Sequence, residues 1–444
     1  MDNTTFDLVF PAVGGRDVLC RNDGGDITSD AGLLLVSLAD KKLGLTRAMA
    51  DAISDHRDQD KVVHGILEMA RERIYAICQD YEDANDLDTL RHDPALKTAC
   101  ERLPKSGEAL ASQPTISRFE NMPAGKDQAR MAVAMAQRVI SALPTKTRRV
   151  IIDADPTEDP CHGQQELELF NGHYGCHCYL PVMIHITGDD GRQRIIGSVL
   201  RPGNSGPTKG LYGALRIAIR LLRKHLPHVQ IIFRADSAFG VCDVLDFCED
   251  IGIDYIVGMK ANNTLQGLSA HVQMDACLRY KWHGNGCREY GSVLYKAGSW
   301  RHARRVVVKA EITQGELNPR FVVTSLLALS DEHAYEFYCA RGEQENRIKE
   351  MKLDLSSGRT SCHSFLANQF RLLMHTAACM LMGVLQESLA ETRYAKAQIG
   401  TLRTRLLKVG ATVVETARKV WFHLPSSFPA QDAWRRMYAA LVCD

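Results

Sequence analysis

The chain has 444 residues, of which 45% are hydrophobic, and its formal net charge is +1. This length suffices for two or three domains, and the apolar content supports a sizeable core and excludes a disordered chain. No apolar run is long enough to span a membrane and the first residues are not typical of a signal peptide, so we expect a cytoplasmic protein with no membrane partner whose fourteen cysteines are reduced thiols.

The first part of the chain, residues 1–145, is predicted to be a mostly helical domain. Three stretches carry apolar residues at helical spacing: 33–43, 63–77 and 128–143. A short helix is also predicted to begin at Ser112, with Pro114 in its first turn. Arg118 would then be a basic group suited to phosphate contact, although a plain helix start explains the same residues equally well.

Residues 146–260 change to short β-branched and apolar runs. In chain order, the sequence predicts strands at 150–152, 179–186 and 194–200, a helix at 210–226, a strand at 229–233, a helix at 241–249 and a strand at 255–258. The first three strands would form an antiparallel meander, and the last two would run parallel through a helical crossover. This order matches the topology of RNase H-like domains, so we predict an α/β fold with a mixed sheet and flanking helices.

The remaining sequence divides into three further segments. Residues 261–328 carry short β-like runs broken by polar stretches, which favours a β-rich insertion domain. Residues 329–390 are predicted to return to helices and to complete the α/β core. Residues 391–444 form a mixed C-terminal segment.

Three carboxylates lie at positions where a rigid fold could hold them together. Asp155 follows the first strand, Asp236 ends the strand after the first long helix, and Glu345 lies in a predicted helix. Oxygen ligands of this kind suit Mg²⁺ or Mn²⁺ rather than zinc. Two such ions about 3.5–4 Å apart can assist cleavage of a phosphodiester, so these acids are candidate catalytic residues and metal ligands.

The stretch from Tyr338 to Lys352 is predicted to be a single helix. Arg341, Glu345 and Lys352 would share one face of it, with Tyr338 one turn before Arg341. This spacing of Tyr, Arg, Glu and Lys resembles the YREK signature of insertion-sequence transposases of the DDE class. Neighbouring stretches such as HGQQELELFNGHYG, LRPGN and FRADSAFG are similar to the insertion-sequence family numbered thirteen-eighty.

The resemblance implies DNA transposition by an RNase H-like catalytic domain. Asp155, Asp236 and Glu345 would bind two Mg²⁺ ions, for which Mn²⁺ would substitute. Tyr338, Arg341 and Lys352 would contact DNA phosphates near the cleaved end. The partners would be double-stranded DNA, as terminal repeats and target, and a second copy in a homodimer, and the helical N-terminal domain would bind DNA.

Alternatives remain for two of the acids. Asp153 precedes Asp155 by two residues on the same face of the strand. The family pattern of Asp-x-Thr favours Asp155, with Asp153 as the alternative first acid. Glu343 and Glu350 compete with Glu345, but only Glu345 shares a face with Arg341 and Lys352.

Further DNA contacts are predicted from local composition. The basic stretch at 301–309 offers Arg301, Arg304 and Arg305, although a solvated surface would explain it as well. Relatives stack a tryptophan of the insertion on a displaced base, and Trp300 or Trp282 could take that position. Two other functions fit the same sequence: a DNA-binding protein that no longer cuts, and a nuclease that does not join strands.

Overall fold

The computed structural model describes residues 7–442, and the chain divides into two compact units. One unit combines the chain up to Met122 with the chain from Leu381 onward, and the other spans Pro123–Met380. The strands are β1 (Leu8–Val13), β2 (Arg16–Cys20), β3 (Ile27–Thr28), β4 (Arg149–Pro156), β5 (Asp159–Pro160), β6 (Leu169–Asn171), β7 (Cys176–Tyr179), β8 (Val182–Thr187), β9 (Gln193–Val199), β10 (Gln230–Ala235), β11 (Asp254–Met259), β12 (Cys287–Tyr295), β13 (Arg304–Thr313), β14 (Glu316–Thr324), β15 (Ala411–Glu415) and β16 (Val420–His423). The α-helices are α1 (Leu33–Leu43), α2 (Leu45–Asp51), α3 (Ile66–Cys78), α4 (Leu87–Leu90), α5 (Pro94–Ala99), α6 (Gln113–Glu120), α7 (Gly125–Ser141), α8 (Leu211–His225), α9 (Cys242–Asp250), α10 (Asn263–Leu268), α11 (Ala270–His283), α12 (Asp331–Cys339), α13 (Gly342–Leu353), α14 (Phe365–Ser388), α15 (Ile399–Leu402) and α16 (Gln431–Val442).

The first unit is mainly helical, with two small sheets. The predicted helices before Met122 are present, and α6 begins directly after Ser112. Strands β1 and β2 form a separate hairpin, whereas β3, β15 and β16 form a three-stranded antiparallel sheet. The N-terminal and C-terminal parts of the chain therefore share one folded unit.

The second unit is a mixed α/β structure around one eight-stranded sheet. The strand order is β12-β13-β14-β11-β10-β4-β8-β9. Strand β10 runs parallel to both β4 and β11, and the other pairs are antiparallel. The central strands β4 and β10 are buried along most of their length, as expected for β-branched runs with both faces covered.

The predicted strand order of this unit is confirmed at the level of pairing. Strands β4, β8 and β9 form the antiparallel meander, and α9 provides the crossover between the parallel strands β10 and β11. Helix α13 packs on β4, and α12 packs on β11, β12 and β13. The carboxyl ends of β4 and β10 thus lie beside two helices from much later in the chain.

The segment predicted to be β-rich after residue 260 differs in two ways. It begins with two helices, α10 and α11, and its strands β12–β14 continue the eight-stranded sheet. Helix α11 buries only Val272 and Ala276, which pack beside Ala310 and Ile312 of β13. Such a narrow apolar stripe leaves little helical periodicity in the sequence, so these two helices were not predicted, whereas the β-like runs of the segment are present as strands β12–β14.

The single helix predicted from Tyr338 to Lys352 is also corrected. Helix α12 ends at Cys339 and α13 begins at Gly342. Between them the backbone N–H of Arg341 bonds to the carbonyl of Tyr338, three residues earlier, which tightens the chain into a turn. Tyr338 and Glu345 therefore lie on different helices.

Two further expectations concern the chain as a whole. The thirteen cysteines within residues 7–442 are free thiols. In that same range, no helix is both long enough and apolar enough to cross a membrane.

Candidate active site

Two of the predicted acids lie side by side because of the register of the sheet. In the parallel pair of β4 and β10, Ala154 is the partner of Ala235. Asp155 and Asp236 are the next residues on these strands, and neighbouring strands are about 4.8 Å apart. The side chain of Asp236 also accepts a hydrogen bond from the backbone N–H of Ala238, 3.0 Å away, which fixes the turn that follows β10.

Glu345 reaches the same place from the first turn of α13. The guanidinium of Arg341 lies 3.3 Å from a carboxylate oxygen of Asp155 and 2.8 Å from one of Glu345. One cation thus bridges an acid of the sheet and an acid of the helix. The structure therefore brings Asp155, Asp236, Glu345 and Arg341 together, although only Glu345 is substantially exposed.

The pKa of Asp155 is raised from its usual value of 3.8 to about 7, and burial is the largest cause. Charge repulsion from Asp236 and Glu345 contributes to this rise, whereas Arg341 opposes it. A carboxyl group whose pKa is close to 7 and which lies among other acids is typical of a functional site. Any positive charge added nearby would strongly stabilise the ionised form of such a carboxyl group.

The raised pKa of Asp155 predicts how the stability of the metal-free protein changes with pH. Between pH values of about 4 and 7, the folded state binds this proton more tightly than the unfolded state, so the free energy of unfolding falls as the pH rises. We expect Asp155→Asn to remove this component and to be more stable than the parent above neutral pH. Urea unfolding of both proteins at about pH 5 and about pH 8 checks this. An identical pH slope in both proteins would contradict it.

Asp153 occupies a different environment from Asp155. It is the direct register partner of Arg234, and its two carboxylate oxygens accept hydrogen bonds of 2.6 and 2.9 Å from that guanidinium. Gln193 donates a further bond of 3.1 Å, and the Asp153 side chain is completely buried. Asp153 therefore belongs to an internal ion pair, one step deeper in the sheet than the Asp155 and Asp236 pair.

The two competing glutamates of α13 are paired elsewhere. Arg347 lies 3.2 Å from Glu343 and 2.9 Å from Glu350, and Glu350 is buried. Neither acid faces Asp155 in this arrangement. Glu345 is the glutamate of this helix that meets Arg341.

Lys352 lies farther along α13, beside the segment that follows β4. Its ammonium donates bonds of 2.8 Å to the backbone carbonyl and the carboxylate of Glu158, and it lies 3.4 Å from the hydroxyl of Thr157. A cavity of about 500 Å³ opens next to it, lined also by His162, Gln165, Arg359 and Thr360. Lys352 therefore borders a cavity lined by polar and basic residues, rather than the group formed by Asp155, Asp236 and Glu345.

Two of the predicted DNA contacts are corrected by burial, and a third is held by internal hydrogen bonds. Arg304 is almost fully buried, bonds to Asp246 and Glu249, and stacks over Trp300. Trp300 itself is only 5% exposed. Arg305 bonds to the carbonyls of the loop before α12 and to Asp331. Arg304 and Trp300 are thus buried inside the protein, whereas Arg305 is half-buried and held by these internal bonds.

The other predicted contacts remain on the surface. Arg301 is exposed and pairs with Asp246 and Asp250, each at 2.9 Å. Trp282, at the end of α11, is 83% exposed. Arg118 is exposed on α6, which belongs to the first unit rather than to the unit that carries the acids.

Two residues near the acids were missed from the sequence. Tyr174 is close enough to Asp155 and Asp236 for their charges to add to the effect of burial, which raises the pKa of its hydroxyl. Gly258 in β11 leaves room for the Tyr338 hydroxyl. A Cβ at this glycine would lie 2.5 Å from that oxygen and 2.9 Å from the backbone N of Ser237. A glycine inside a strand was the available signal for such a close approach.

We expect Gly258→Ala to displace Tyr338 or the turn after Asp236. Stability should fall by about 1–3 kcal/mol, as for other overpacked sites, and activity should fall by about 10–100-fold through misplacement of the acid. Thermal unfolding measures the change in stability, and the rate of the reaction that the site catalyses measures the change in activity. Gly197→Ala is the matched control, because apart from Gly197 and its two chain neighbours no atom of residues 7–442 lies within 4 Å of the added Cβ. Equal behaviour of the two variants would contradict this interpretation.

The three acids have the ligand chemistry of a site for a divalent metal ion. Asp155, Asp236 and Glu345 supply oxygen donors of the kind that Mg²⁺ prefers, and the Arg341 guanidinium lies against two of them. Within the described part of the chain, however, no three His, Cys, Asp or Glu side chains are close enough together to form a ready metal site. The residues fit a hard cation chemically, and Arg341 bridges two of them.

Comparison with known protein families gives one match. The sequence model described as transposase DDE domain group 1 matches residues 10–442, which is nearly the whole chain. No curated protein matches this chain.

Proposed function

The chain belongs to the transposase DDE domain family, group 1, and from this membership we propose that it cuts the ends of an insertion sequence and joins them to target DNA. The double-stranded substrates would be the terminal inverted repeats and the target. The observation that carries the proposal is the convergence of Asp155 and Glu345 on Arg341, with Asp236 beside Asp155 across the parallel strands.

We assign the three acids as ligands of two Mg²⁺ ions, with Mn²⁺ able to substitute. When bound, these ions would activate the attacking oxygen and neutralise charge that develops on the phosphorus. Asp155 would give up its proton on loading, since burial is what raises its pKa and added positive charge would lower it.

Arg341 would exchange its partners during loading. Its guanidinium now neutralises Asp155 and Glu345, and in the loaded site it would be free to grip a DNA phosphate with two parallel hydrogen bonds. Tyr338, packed against Gly258 and beside Arg341, would position that guanidinium and offer its hydroxyl to the same strand. Lys352 and the cavity beside it would hold the backbone farther from the scissile bond.

The architecture supports finer assignments of fold and family. The meander of β4, β8 and β9 followed by the parallel strands β10 and β11 has the order of an RNase H-like domain. We assign residues 146–260 and 329–390 to this catalytic core, residues 261–328 to an insertion, and the helices before residue 145 to DNA binding. The YREK spacing supports placement in the insertion-sequence family numbered thirteen-eighty, acting as a homodimer on paired ends in the cytoplasm.

The proposal is tested with DNA that carries the inverted repeats flanking the gene. We expect nicking at the repeat ends and joining of the freed 3′ end to a second duplex, both requiring Mg²⁺ or Mn²⁺. Binding without metal-dependent cleavage would identify a DNA-binding protein that no longer cuts. Cleavage without joining would identify a nuclease, and either result would overturn the proposal.

A further inference from the structure

The N-terminal segment of the described chain, residues 7–23, forms an arm ahead of the first strand that the sheet anchors. Every residue of this arm is exposed. Strands β1 and β2 pair in it as an antiparallel hairpin, closed at its base by an ion pair between Asp7 and Arg21. The arm carries six exposed large apolar side chains: Leu8, Val9, Phe10, Val13, Val18 and Leu19.

These apolar residues lie on both faces of the hairpin. Leu8 and Val9 are consecutive in β1, and consecutive strand residues point to opposite faces. A two-stranded hairpin is marginal by itself in water, and a contiguous apolar patch on a protein surface usually marks an interaction site. The composition of the arm therefore requires a surface that covers it.

The charges of the arm disfavour DNA as that surface. In residues 7–23, three aspartates stand against two arginines, a net charge of −1. A β-ribbon that enters a DNA groove must instead neutralise phosphates with Lys and Arg. The arm is apolar and acidic, which suits a protein surface that is apolar and basic.

The same folded unit contains such a surface. A groove of about 680 Å³ lies between α1 and the segment that leads into α16. Its apolar lining includes Leu34, Leu38, Phe428 and Tyr438. Lys41 and Arg435 are the charged residues among the described residues that line it, giving a net charge of +2. Their ion pairs, with Glu101 at 3.7 Å and Asp432 at 3.6 Å, are exposed and weak.

The geometry points to reciprocal exchange, in which the arm of each chain docks in the groove of a second copy. A single chain exposes both the arm and the groove, as a two-fold symmetric interface requires. Gly24 and Gly25 provide a hinge between the arm and β3, which the sheet anchors at Thr28. The inference deepens the proposed function and rests on its need for two copies.

The size of the contact fits a stable dimer. The two strands of the arm have six and five residues, and fourteen residues line the groove. Each protomer would thus contribute about 25 residues, within the usual 20–30 residues a side. The opposite net charges of arm and groove would set the register of docking.

The test measures self-association of the full chain without DNA, by sedimentation equilibrium. We expect the parent to be a dimer, and we expect the arm variant Val9→Ser/Phe10→Ser and the groove variant Leu38→Asp each to raise the dissociation constant at least about 10-fold. Mixing the two variants should restore association, because one intact arm then meets one intact groove. Val63→Ser, at an apolar residue that is 75% exposed outside both surfaces, is the matched control. Tyr438→Asp replaces Leu38→Asp if that protein does not fold.

Two results would overturn the proposed exchange of arms: unchanged association of the arm variant, or no recovery of association on mixing the two variants. A monomer whose arm amides exchange slowly would show that the arm covers its own groove, and protection that appears only with DNA would show that DNA covers it. Failure of the proposed function would look different. The parent would not cleave DNA, but the arm and groove variants would still weaken its self-association as expected.

Discussion

Replacing Asp236 by Ala is expected to lower Mg²⁺-dependent cleavage of terminal-repeat DNA by on the order of 10³-fold or more. Asp236 lies next to Asp155 across the parallel strands β4 and β10, and its charge already acts on Asp155. Its one backbone hydrogen bond, from Ala238, is worth about 1 kcal/mol by analogy with helix caps, so the variant should still fold. Initial cleavage rates, with DNA binding measured in parallel, give the result.

The matched control is Asp243→Ala. Asp243 is an exposed acid on α9, seven positions after Asp236 and outside the group around Arg341. Its removal should leave the cleavage rate within about twofold of the parent, as for an ordinary surface substitution. Full cleavage by Asp236→Ala, or an equal loss in Asp243→Ala, would remove Asp236 from the catalytic group.

The second large effect concerns stability rather than catalysis. Asp153→Ala is expected to lower the free energy of unfolding by about 3–5 kcal/mol, because it leaves the guanidinium of Arg234 buried without its partner. Both side chains are at most 4% exposed, and Arg234 would retain only its bond to the carbonyl of Phe337 and its contact with that ring. The midpoint and slope of urea unfolding measure the change.

Asp155→Asn provides the contrast, since Asp155 lies only two residues away. It should abolish cleavage while leaving stability unchanged or raised, because it removes a buried carboxylate whose charged form is disfavoured. Together, the two variants separate an acid that holds the sheet from an acid that performs chemistry. Loss of stability in Asp155→Asn with normal stability in Asp153→Ala would reverse the assignment.

Much of the second unit could be predicted from local sequence. The runs Val150–Ile152 and Ile231–Phe233 are β-branched and apolar, and such runs become central strands wherever both faces of a sheet are covered. Asp155 and Asp236 each lie three residues after the end of these runs, so their positions at strand ends were visible in the sequence. The turn chemistry around residues 187–191 likewise predicted the hairpin of β8 and β9.

Contacts between distant parts of the chain decide which charged side chains are paired inside the protein and which remain free to bind a ligand. Arg304 and Arg305 form a basic stretch in the sequence, but the acids that bury Arg304 come from α9, more than fifty residues earlier. Arg234 similarly captures Asp153 across 81 residues. Local composition cannot reveal such pairs, because they depend on which strand lies beside which.

The helix that bears Glu345 shows the same limit at smaller scale. Its pattern of Tyr338, Arg341 and Glu345 suggested one continuous face. The chain instead turns between α12 and α13, and Tyr338 reaches the site by packing against Gly258 of a neighbouring strand. The spacing identified the residues, whereas the sheet determined how they meet.

The most direct test of the account is the anomalous diffraction of crystals grown with Mn²⁺. We predict manganese held by Asp155, Asp236 and Glu345, with the guanidinium of Arg341 released from both Asp155 and Glu345. Manganese bound elsewhere, for example at Glu158 and Asp159, with Arg341 still bridging Asp155 and Glu345 at saturating metal, would contradict it.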